Sequence, residues 1–296
     1  MKIILTGALG YIGCESLYRL SARPDITVYA VDNDVGAIQD RGAYFLRFPN
    51  IKIINCDITD IEQVKQLPKS DIIVHLASIV GYLQCNQNPK LTYNTNVVGT
   101  QNIVNLVTPT IFFSTGSVYG EIGSYCDETV AVNPQTVYAK TKHQAEEIIK
   151  TIPSVIFRPA TAVGLSFKTR HDLLVHDLAC QAIKNKHIDL YQPTAMRSFY
   201  SVQKLAELIE FACDNFSKFQ NNIYNVGCDS GNIMKQDIVK LLEQHVKFTY
   251  NIVNGADADT RDYNVNYNKL KEIWSNYDEN FSDSIPNIVE YYKNGN

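Results

Sequence analysis

The stretch "LTGALGYIG", residues 5–13, spaces three glycines at intervals of three, directly after an apolar run. Glycine loses more conformational freedom on folding than any other residue, so this pattern indicates a backbone that another group must approach closely. The apolar run "KIILT" (2–6) is predicted to be a strand, and a helix is expected to begin near Ile12. The turn between them carries Gly7, Gly10 and Gly13.

Strand-like and helix-like segments alternate through the first two thirds of the chain. The strand-like segments are β-branched and nearly continuous in apolarity, as strands buried on both faces are. They lie at 2–6, 27–32, 51–57, 71–77, 110–115 and 154–160. Amphipathic helices are predicted between them at 13–22, 60–67, 91–107 and 135–151. This alternation predicts an α/β fold with a doubly wound parallel sheet of the Rossmann type.

The alternation loosens beyond residue 160. A helix is predicted at 171–186, short strands at 188–191, 199–202 and 223–227, and a C-terminal helix near 285–293. We therefore expect a smaller C-terminal α/β lobe that binds substrate. The predicted division gives 1–160, with a returning strand and helix at about 197–227, to the dinucleotide-binding domain, and 161–196 with 228–296 to the substrate-binding lobe.

Composition and charge narrow the function classes. The 296 residues carry a net charge of −4 without a basic run, so neither nucleic acid nor an anionic membrane is an expected partner. No apolar stretch reaches the roughly 18 residues of a membrane span. The start, "MKIILT", predicts no secretion signal. Seven scattered cysteines without a C-x-x-C motif indicate reduced thiols, no metal site and a cytoplasmic protein.

The surroundings of the three glycines predict a dinucleotide-binding turn. Gly7 would allow the tight turn, Gly10 the approach of a pyrophosphate, and Gly13 close packing of the helix, whose first amides would bind the phosphates. Asp32 ends the next strand, and its carboxylate would accept hydrogen bonds from the adenosine ribose. A 2′-phosphate would meet a like charge there, and Asn33 supplies no cation. NAD is therefore expected rather than NADP.

The spacing G-x-x-G-x-x-G resembles that of the extended short-chain dehydrogenase/reductase family, the nucleotide-sugar epimerases and dehydratases. The resemblance covers nearly the whole chain, because further family motifs follow in order. They are "CDITD" (56–60), "HLAS" (75–78), "NTNVVGT" (94–100), "STGSVYG" (114–120), "YAKTK" (138–142), "RSFYSV" (197–202) and "YNVG" (224–227). The resemblance implies a nucleotide-diphosphate sugar as substrate, and a homodimer formed through helices near 91–107 and 135–151.

The same resemblance implies the cofactor contacts beyond the glycines. Asp57 and Ile58 match the family's adenine-contacting pair, and Asn96 matches a structural position beside the cofactor. The full set of expected cofactor-binding residues is Gly7, Gly10, Tyr11, Ile12, Gly13, Asp32, Asn33, Asp57, Ile58, Leu76, Ala77, Ser78, Asn96, Tyr138 and Lys142.

Tyr138 and Lys142 are spaced four residues apart on a predicted helix and so project from one face. A nearby ammonium stabilises a phenolate, and such a tyrosine can take a proton from a sugar hydroxyl while hydride leaves the same carbon. In the family pattern, Lys142 also holds the nicotinamide ribose, and the hydroxyl of Thr115 binds the reacting oxygen. The helix is expected to begin with Asn133 as its N-cap and Pro134 at its first position.

The residues after Thr115 reduce the number of candidate reactions. Dehydratases of this family carry Asp-Glu there, whereas this chain has Gly116 and Ser117, which disfavours loss of water. Oxidation at the sugar 4-position, 4-epimerisation and reduction of a 4-keto sugar remain. Epimerases for UDP-galactose usually have Asn in the R-x-x-N-x-x-G motif, whereas "RPATAVG" (158–164) has Thr161.

Two longer stretches, "HLASIVGYLQC" (75–85) and "GLSFKTRHDLLVHDLACQA" (164–182), resemble bacterial sugar-nucleotide epimerases and dehydrogenases, including enzymes that oxidise GDP-heptose at its 4-hydroxyl. Tyr82 and Gln84 would line the sugar pocket. A nucleotide sugar needs cations around its diphosphate. The expected substrate-binding residues are Tyr82, Gln84, Thr115, Thr161, Arg170, His176, Arg197 and Arg261.

Alternatives remain at this stage. Epimerase and dehydrogenase share their first half-reaction, and sequence does not report the pocket volume that separates them. A catalytically silent dinucleotide-binding regulatory protein is a second class, since a fold alone does not fix function. A steroid- or flavonoid-type ketone reductase usually has a basic residue for NADP after the second strand, where this chain has Asp32 and Asn33.

Overall fold

The computed structural model describes residues 1–120, 125–254 and 264–295. Its strands are β1 (Lys2–Thr6), β2 (Thr27–Asp32), β3 (Ile51–Asn55), β4 (Ile72–His75), β5 (Thr110–Phe113), β6 (Tyr125–Cys126), β7 (Ser154–Pro159), β8 (Thr161–Val163), β9 (His187–Tyr191), β10 (Met196–Ser201), β11 (Asn222–Val226), β12 (Asn232–Met234), β13 (Thr249–Val253) and β14 (Asn264–Val265).

The α-helices connect these strands, and several are short. They are α1 (Tyr11–Ser21), α2 (Val35–Ala37), α3 (Ala43–Phe45), α4 (Ile61–Lys65), α5 (Tyr82–Gln87), α6 (Pro89–Tyr93), α7 (Gly99–Val104), α8 (Val137–Ile149), α9 (Leu174–Cys180), α10 (Val202–Asp214), α11 (Phe216–Phe219), α12 (Lys235–Glu243), α13 (Asn268–Lys271) and α14 (Ser284–Lys293). Wider, π-type turns at Ile38–Gly42, Asn94–Val98 and Gln181–Asn185 join some of them.

A seven-stranded parallel sheet forms the centre of the molecule, in the order β3-β2-β1-β4-β5-β7-β11. The order reverses beside β1, because the chain winds outward first through β2 and β3 and then through β4. At such a switch point the loops after neighbouring strands diverge and leave a crevice at the carboxyl ends. The predicted doubly wound α/β fold is confirmed.

Burial explains why the strands are apolar on both faces. The residues of β4 and β5 are all buried, and helices cover the sheet on each side. The helix α10 packs along α1, as expected for a returning helix beside the glycine turn. The largest apolar core therefore fixes α1 and the ends of the central strands relative to one another.

A smaller group of elements lies beyond β7. Its three-stranded sheet has the order β12-β10-β8, and β9 pairs with β13. The helices α9, α12 and α14 contribute to a second apolar core. The strand expected at 199–202 lies in this smaller sheet as β10, whereas the strand that returns to the large sheet is β11.

No helix in the described ranges combines the length and the apolarity needed to cross a lipid bilayer.

Candidate active site

A cavity of about 960 Å³ opens at the carboxyl ends of the central strands. The glycine turn lines part of its wall, and residues from β5 and α8 line another part. Of the residues predicted from the sequence, those on the wall are Gly7, Gly10, Tyr11, Ile12, Gly13, Asp32, Asn33, Asp57, Ile58, Leu76, Ala77, Ser78, Tyr82, Thr115, Tyr138, Lys142, Thr161 and Arg170. The fold therefore gathers residues that are distant in sequence around one space.

The three glycines have three different structural reasons. Gly7 has φ +65°, and a Cβ there would lie 2.7 Å from the backbone nitrogen of Ala77. A Cβ on Gly13 would lie 2.2 Å from the carbonyl oxygen of Gly7, so the first turn of α1 sits directly on the loop. A Cβ on Gly10 would approach only that same oxygen, at 3.2 Å, and Gly10 lines the cavity. Gly10 is thus the position that leaves room for a ligand.

The start of α1 suits an anion. Gly10 is its N-cap residue and offers no side-chain acceptor to the amides of the first turn. Uncapped amides and the helix dipole make such an end attractive to phosphate groups. The glycine turn and the helix start therefore fit the pyrophosphate of a dinucleotide.

Asp32 fixes the loop as well as lining the cavity. Its Oδ2 accepts the amide hydrogen of Leu9 at 2.9 Å, and its Oδ1 accepts that of Asp34 at 3.1 Å. The carboxylate thereby stands at the end of β2 in a fixed orientation, where a ribose could donate to it. Asp57, at the end of the next strand, is held in a similar way by the amide and hydroxyl of Thr59.

The helix α8 begins later than expected. The hydroxyl of Thr136 accepts the amide hydrogen of Ala139 at 3.1 Å, which makes Thr136 the N-cap. The prediction of Asn133 as the cap is wrong, because the amide of Asn133 donates to the carbonyl of Val118 and the chain turns into the helix only after Thr136. Tyr138 and Lys142 still lie four residues apart on the helix and line the same cavity.

Lys142 is almost completely buried. Burial lowers the pKa of its ammonium to about 7, and the carboxylate of Glu146, one turn further along α8, partly opposes this. Its Nζ also lies 4.1 Å from the centroid of the Phe112 ring. Burial and the charge of Lys142 together lower the pKa of His75 to about 3, so that neighbour is neutral. The lysine can therefore change its protonation state near neutral pH.

Thr115 lies two residues after the end of β5 and caps a short 3-10 helix. Its Oγ1 accepts the amide hydrogen of Ser117 at 3.1 Å and lies 3.1 Å from the Ser117 hydroxyl. Gly116 and Ser117 stand where a dehydratase would have two acids, and Ser117 also lines the cavity. Among the described residues next to Thr115, the site therefore offers hydroxyls rather than carboxylates.

Asn96 supports the wall from behind and is not among the described residues that line it. Its Oδ1 accepts the amide of Ile79 and the hydroxyl of Ser78, and its Nδ2 donates to the carbonyl of Ile79 and to Thr141. It thus joins the loop after β4 to α8, next to Tyr138.

Three other candidates are also absent from the described cavity wall. Gln84 lies on α5 and is exposed. His176 is buried, with Nε2 3.0 Å from the carbonyl oxygen of Gly164, and burial lowers its pKa to about 4. Arg197 is buried on β10 and donates to the carbonyl of Met196. Arg261 lies outside the described residues.

Sequence reasoning missed the cations that the fold adds to the wall. Arg41 lines the cavity, and its Nε donates to the carbonyl of Leu9 at 3.1 Å. Lys168 lines it as well, two residues before Arg170. A basic residue on the helical segment after β2 was the available signal for Arg41, but its direction depends on the π-type turn at Ile38–Gly42.

The segment 164–170 crosses the start of α1. The hydroxyl of Ser166 donates to the carbonyl of Tyr11 at 2.9 Å, and the hydroxyl of Tyr11 donates to that of Gly164. Phe167 packs against aromatic rings in the segment that follows β2, with 4.8 Å between its ring centroid and that of Tyr44. Arg170, at the end of this segment, pairs with Asp172 and lies close enough to Tyr138 for their charges to interact.

Comparisons with known proteins show similarity in sequence and in fold. The sequence is 25% identical to the GDP-6-deoxy-D-talose 4-dehydrogenase of Aggregatibacter actinomycetemcomitans, over 71% of this chain and 69% of that one. It is 27% identical to a probable UDP-glucuronate 4-epimerase of Rhizobium meliloti, over 71% and 67%. The structure resembles UDP-glucuronic acid 4-epimerase from Bacillus cereus, solved with UDP-glucuronic acid and NAD, with a TM-score of 0.86, 23% identity and 99% of each chain covered.

A family model, the NAD dependent epimerase/dehydratase family, matches residues 3–227, which is well over half of the chain. The match includes the glycine turn, Thr115 and the pair on α8. It ends where β11 completes the large sheet. The chain therefore belongs to the NAD dependent epimerase/dehydratase family, which confirms the family, the enzyme class and the NAD dependence predicted from its motifs.

Proposed function

We propose that this protein oxidises a nucleotide-diphosphate sugar at its 4-position, with NAD as the hydride carrier, and acts as a 4-epimerase or a 4-dehydrogenase. The observation that carries the proposal is the placement of Thr115, Tyr138 and Lys142 on the wall of the same cavity as the glycine turn. The Aggregatibacter and Rhizobium relatives, named for reactions at a sugar 4-position, support this chemistry.

The residues that would hold NAD fit its parts. Gly10 and the uncapped start of α1 suit the pyrophosphate, and Asp32 suits the adenosine ribose. NAD, when bound, accepts a hydride and can return it. Arg41, on the same wall, adds a cation that is held by the carbonyl of Leu9 and lies 3.9 Å from the carboxylate of Asp34.

Residues of this chain would accept and return the proton of the sugar hydroxyl. Tyr138 takes the proton of the sugar 4-hydroxyl, and the ammonium form of Lys142 favours the phenolate. Thr115 donates a hydrogen bond to the reacting oxygen, and this bond is strongest while that oxygen carries the negative charge left by the departing proton. Arg170, near Tyr138, is the cation best placed for an anionic group of the substrate.

The segment 164–170 favours the epimerase over the dehydrogenase. Ser166 ties it to the first residue of α1 and Phe167 packs against Tyr44, and a segment fixed in this way beside the helix start would slow the release of a dinucleotide. An epimerase needs the same cofactor to return its hydride, whereas a dehydrogenase must release NADH in every cycle. The dehydrogenase, and the reductase that runs in the opposite direction, remain alternatives that the product identifies.

The test is turnover of UDP-, GDP- and dTDP-sugars, with products followed by NMR and NADH by absorbance. We expect a 4-epimer without accumulation of NADH. Tyr138→Phe should abolish turnover, whereas the control Tyr250→Phe, on exposed β13, should leave it unchanged. Bound NAD without turnover of any sugar would instead support the catalytically silent regulatory protein. Full activity of Tyr138→Phe would contradict the proposal.

Oligomeric state, location and lobe roles are further parts of the proposal. We propose a homodimer through 91–107 and 135–151, supported by the exposed Leu91 and Tyr93 at the start of that surface. Tyr93→Asp should lower the mass measured by light scattering if the dimer forms there. We also propose a cytoplasmic location, and a substrate-binding role for 161–196 and 228–296, to which Arg170 belongs.

A further inference from the structure

A group of buried polar side chains lies behind the candidate catalytic residues. Ser114, Glu146 and Arg158 each have at most 4% of their surface exposed. The hydroxyl of Ser114 donates to Oε1 of Glu146 at 2.5 Å. The Arg158 guanidinium donates to both oxygens of the same carboxylate, through Nε at 3.0 Å and Nη2 at 2.7 Å. None of the three was singled out by the proposed chemistry.

The two ends of the Ser114–Glu146 bond belong to the two elements that carry the reacting groups. Ser114 immediately precedes Thr115 at the end of β5. Glu146 lies on α8, one helical turn beyond Lys142 and two turns beyond Tyr138. We propose that Ser114 and Glu146 are positioning residues, whose bond holds Thr115 in register with Tyr138 for the oxidation at the sugar 4-position. This inference rests on the proposed function.

The carboxylate is a rigid anchor for this bond. Arg158 holds Glu146 in a two-point contact, which prevents the carboxylate from rotating away from Ser114. Arg158 is itself stacked over the ring of Tyr119, 4.9 Å from its centroid. The Tyr119 hydroxyl donates to the buried Asn225 at 2.7 Å. The chain of contacts thus ends at the buried Asn225 on β11, the edge strand of the large sheet.

Thr115 needs such a restraint because the hydrogen bonds of its hydroxyl are local. Its hydroxyl bonds only with the neighbouring Ser117 among the contacts described for it, so those bonds do not tie it to α8. Asn96 joins α8 to the loop after β4, but it does not reach β5. The bond from Ser114 to Glu146 links β5 and α8 beside the reacting groups, where a displacement of about 1 Å can lower a rate about a hundredfold.

The test compares Ser114→Ala with Ser154→Ala. Ser154 is also 4% exposed and also bonds α8, through the carbonyl of Ile149, but at the far end of that helix. Both variants lose one buried hydroxyl and should lose similar thermal stability. Ser114→Ala alone should lower kcat, by about tenfold to a hundredfold with KM little changed, because a group acting in the transition state is misplaced. Ser114→Thr, which keeps the hydroxyl, should restore most of kcat.

A second readout needs no substrate. Crystal structures of both variants should show a longer separation between the Thr115 and Tyr138 hydroxyls in Ser114→Ala only. An unchanged separation would overturn the inference even if no sugar is turned over. If the wild type is active and Tyr138→Phe is not, equal kcat values for the two alanine variants would overturn the positioning role and leave the proposed function standing.

Discussion

The hydroxyl of Tyr11 donates a hydrogen bond of 2.6 Å to the carbonyl oxygen of Gly164. Tyr11 is the first residue of α1, beside the glycine turn, and Gly164 follows β8 with φ +109°. The bond therefore joins the helix start expected to bind the dinucleotide phosphates to the segment that crosses it. The same carbonyl is bonded by His176, so it keeps one partner if Tyr11 is changed.

Tyr11→Phe should weaken the binding of NAD, because the segment over the helix start loses a buried tie. One hydrogen bond of this kind contributes about 1 kcal/mol, which sets an upper limit of roughly fivefold on the rise in the Kd for NAD, since the bond also exists without the cofactor. Isothermal titration calorimetry measures the change. Tyr18→Phe is the control on the same helix, since its ring is half-exposed. Equal Kd values for the two variants would show that the Tyr11 bond plays no part in retention.

Gly10→Ala and Gly13→Ala should separate cofactor binding from folding. Gly10 has φ −78°, which alanine adopts freely, and it lines the cavity, so the Kd for NAD should rise by at least about tenfold. Its Cβ would lie 3.2 Å from the carbonyl oxygen of Gly7, so Tm should fall less than in Gly13→Ala. Gly13→Ala should instead lower the free energy of unfolding by about 1–3 kcal/mol, because its Cβ would clash with the loop. Thermal unfolding and NAD titration of both variants measure the two effects. The prediction would be contradicted if Gly10→Ala mainly lost stability and Gly13→Ala mainly lost NAD binding.

Lys142→Met should stabilise the cofactor-free protein and abolish its activity. Burial lowers the pKa of Lys142 from 10.5 to about 7, so the folded state binds this proton less tightly than the unfolded state does. Below pH 7 the lysine is charged in both states and its burial is fully unfavourable. Between pH 7 and 10.5 the folded state releases the proton first, and the penalty falls as the pH rises.

The gain from Lys142→Met is therefore largest at low pH. We expect the Tm of Lys142→Met to exceed that of the wild type by roughly 2–4 °C at pH 6 and by a smaller amount at pH 9. Calorimetry at the two pH values measures it. Lys140→Met, an exposed neighbour on the same helix, is the matched control and should show no such pH dependence. A rise in Tm that is larger at pH 9 than at pH 6 would contradict the predicted pH dependence.

Asn96→Ala should destabilise the fold more than Asn102→Ala. Asn96 bonds the backbone of Ile79 in both directions and also Thr141, whereas Asn102 makes one described bond, to the carbonyl of Ile58. Leaving buried partners unsatisfied costs about 1–3 kcal/mol, so the free energy of unfolding should fall by about 2 kcal/mol more for Asn96→Ala. Urea denaturation of the two variants tests the difference.

Local sequence rules predicted the fold and part of the cavity wall, and the family resemblance added residues such as Asp57, Ser78 and Thr115. The glycine turn, Asp32 at a strand end, and the pair on α8 depend on periodicity and short spacing, which a single sequence carries. The carboxyl ends of parallel strands meet at one edge, so Asp57, Ser78 and Thr115 converge for a topological reason. The roles assigned to these residues remain predictions.

Other features depended on tertiary packing. The cap of α8 is Thr136 rather than Asn133, because two residues of similar propensity compete and the backbone bond of Asn133 to Val118, 15 positions away, decides. Arg41 reaches the cavity only through the turn of its own helical segment. His176 has no pattern that distinguishes an interior hydrogen bond from a ligand contact. The Ser114–Glu146 bond joins residues 32 positions apart, for which no spacing rule exists.

Asp32 bears on any redesign of coenzyme preference. Replacing an acid at this position by a neutral or basic residue is the obvious route to a phosphorylated dinucleotide, since it removes the repulsion of the added charge. Here the carboxylate also accepts the amides of Leu9 and Asp34, so the exchange withdraws an anchor from the loop it is meant to retune. An engineered variant must therefore supply a new acceptor for the amide of Leu9. Without it, the coenzyme selectivity changes but the binding loop becomes less ordered.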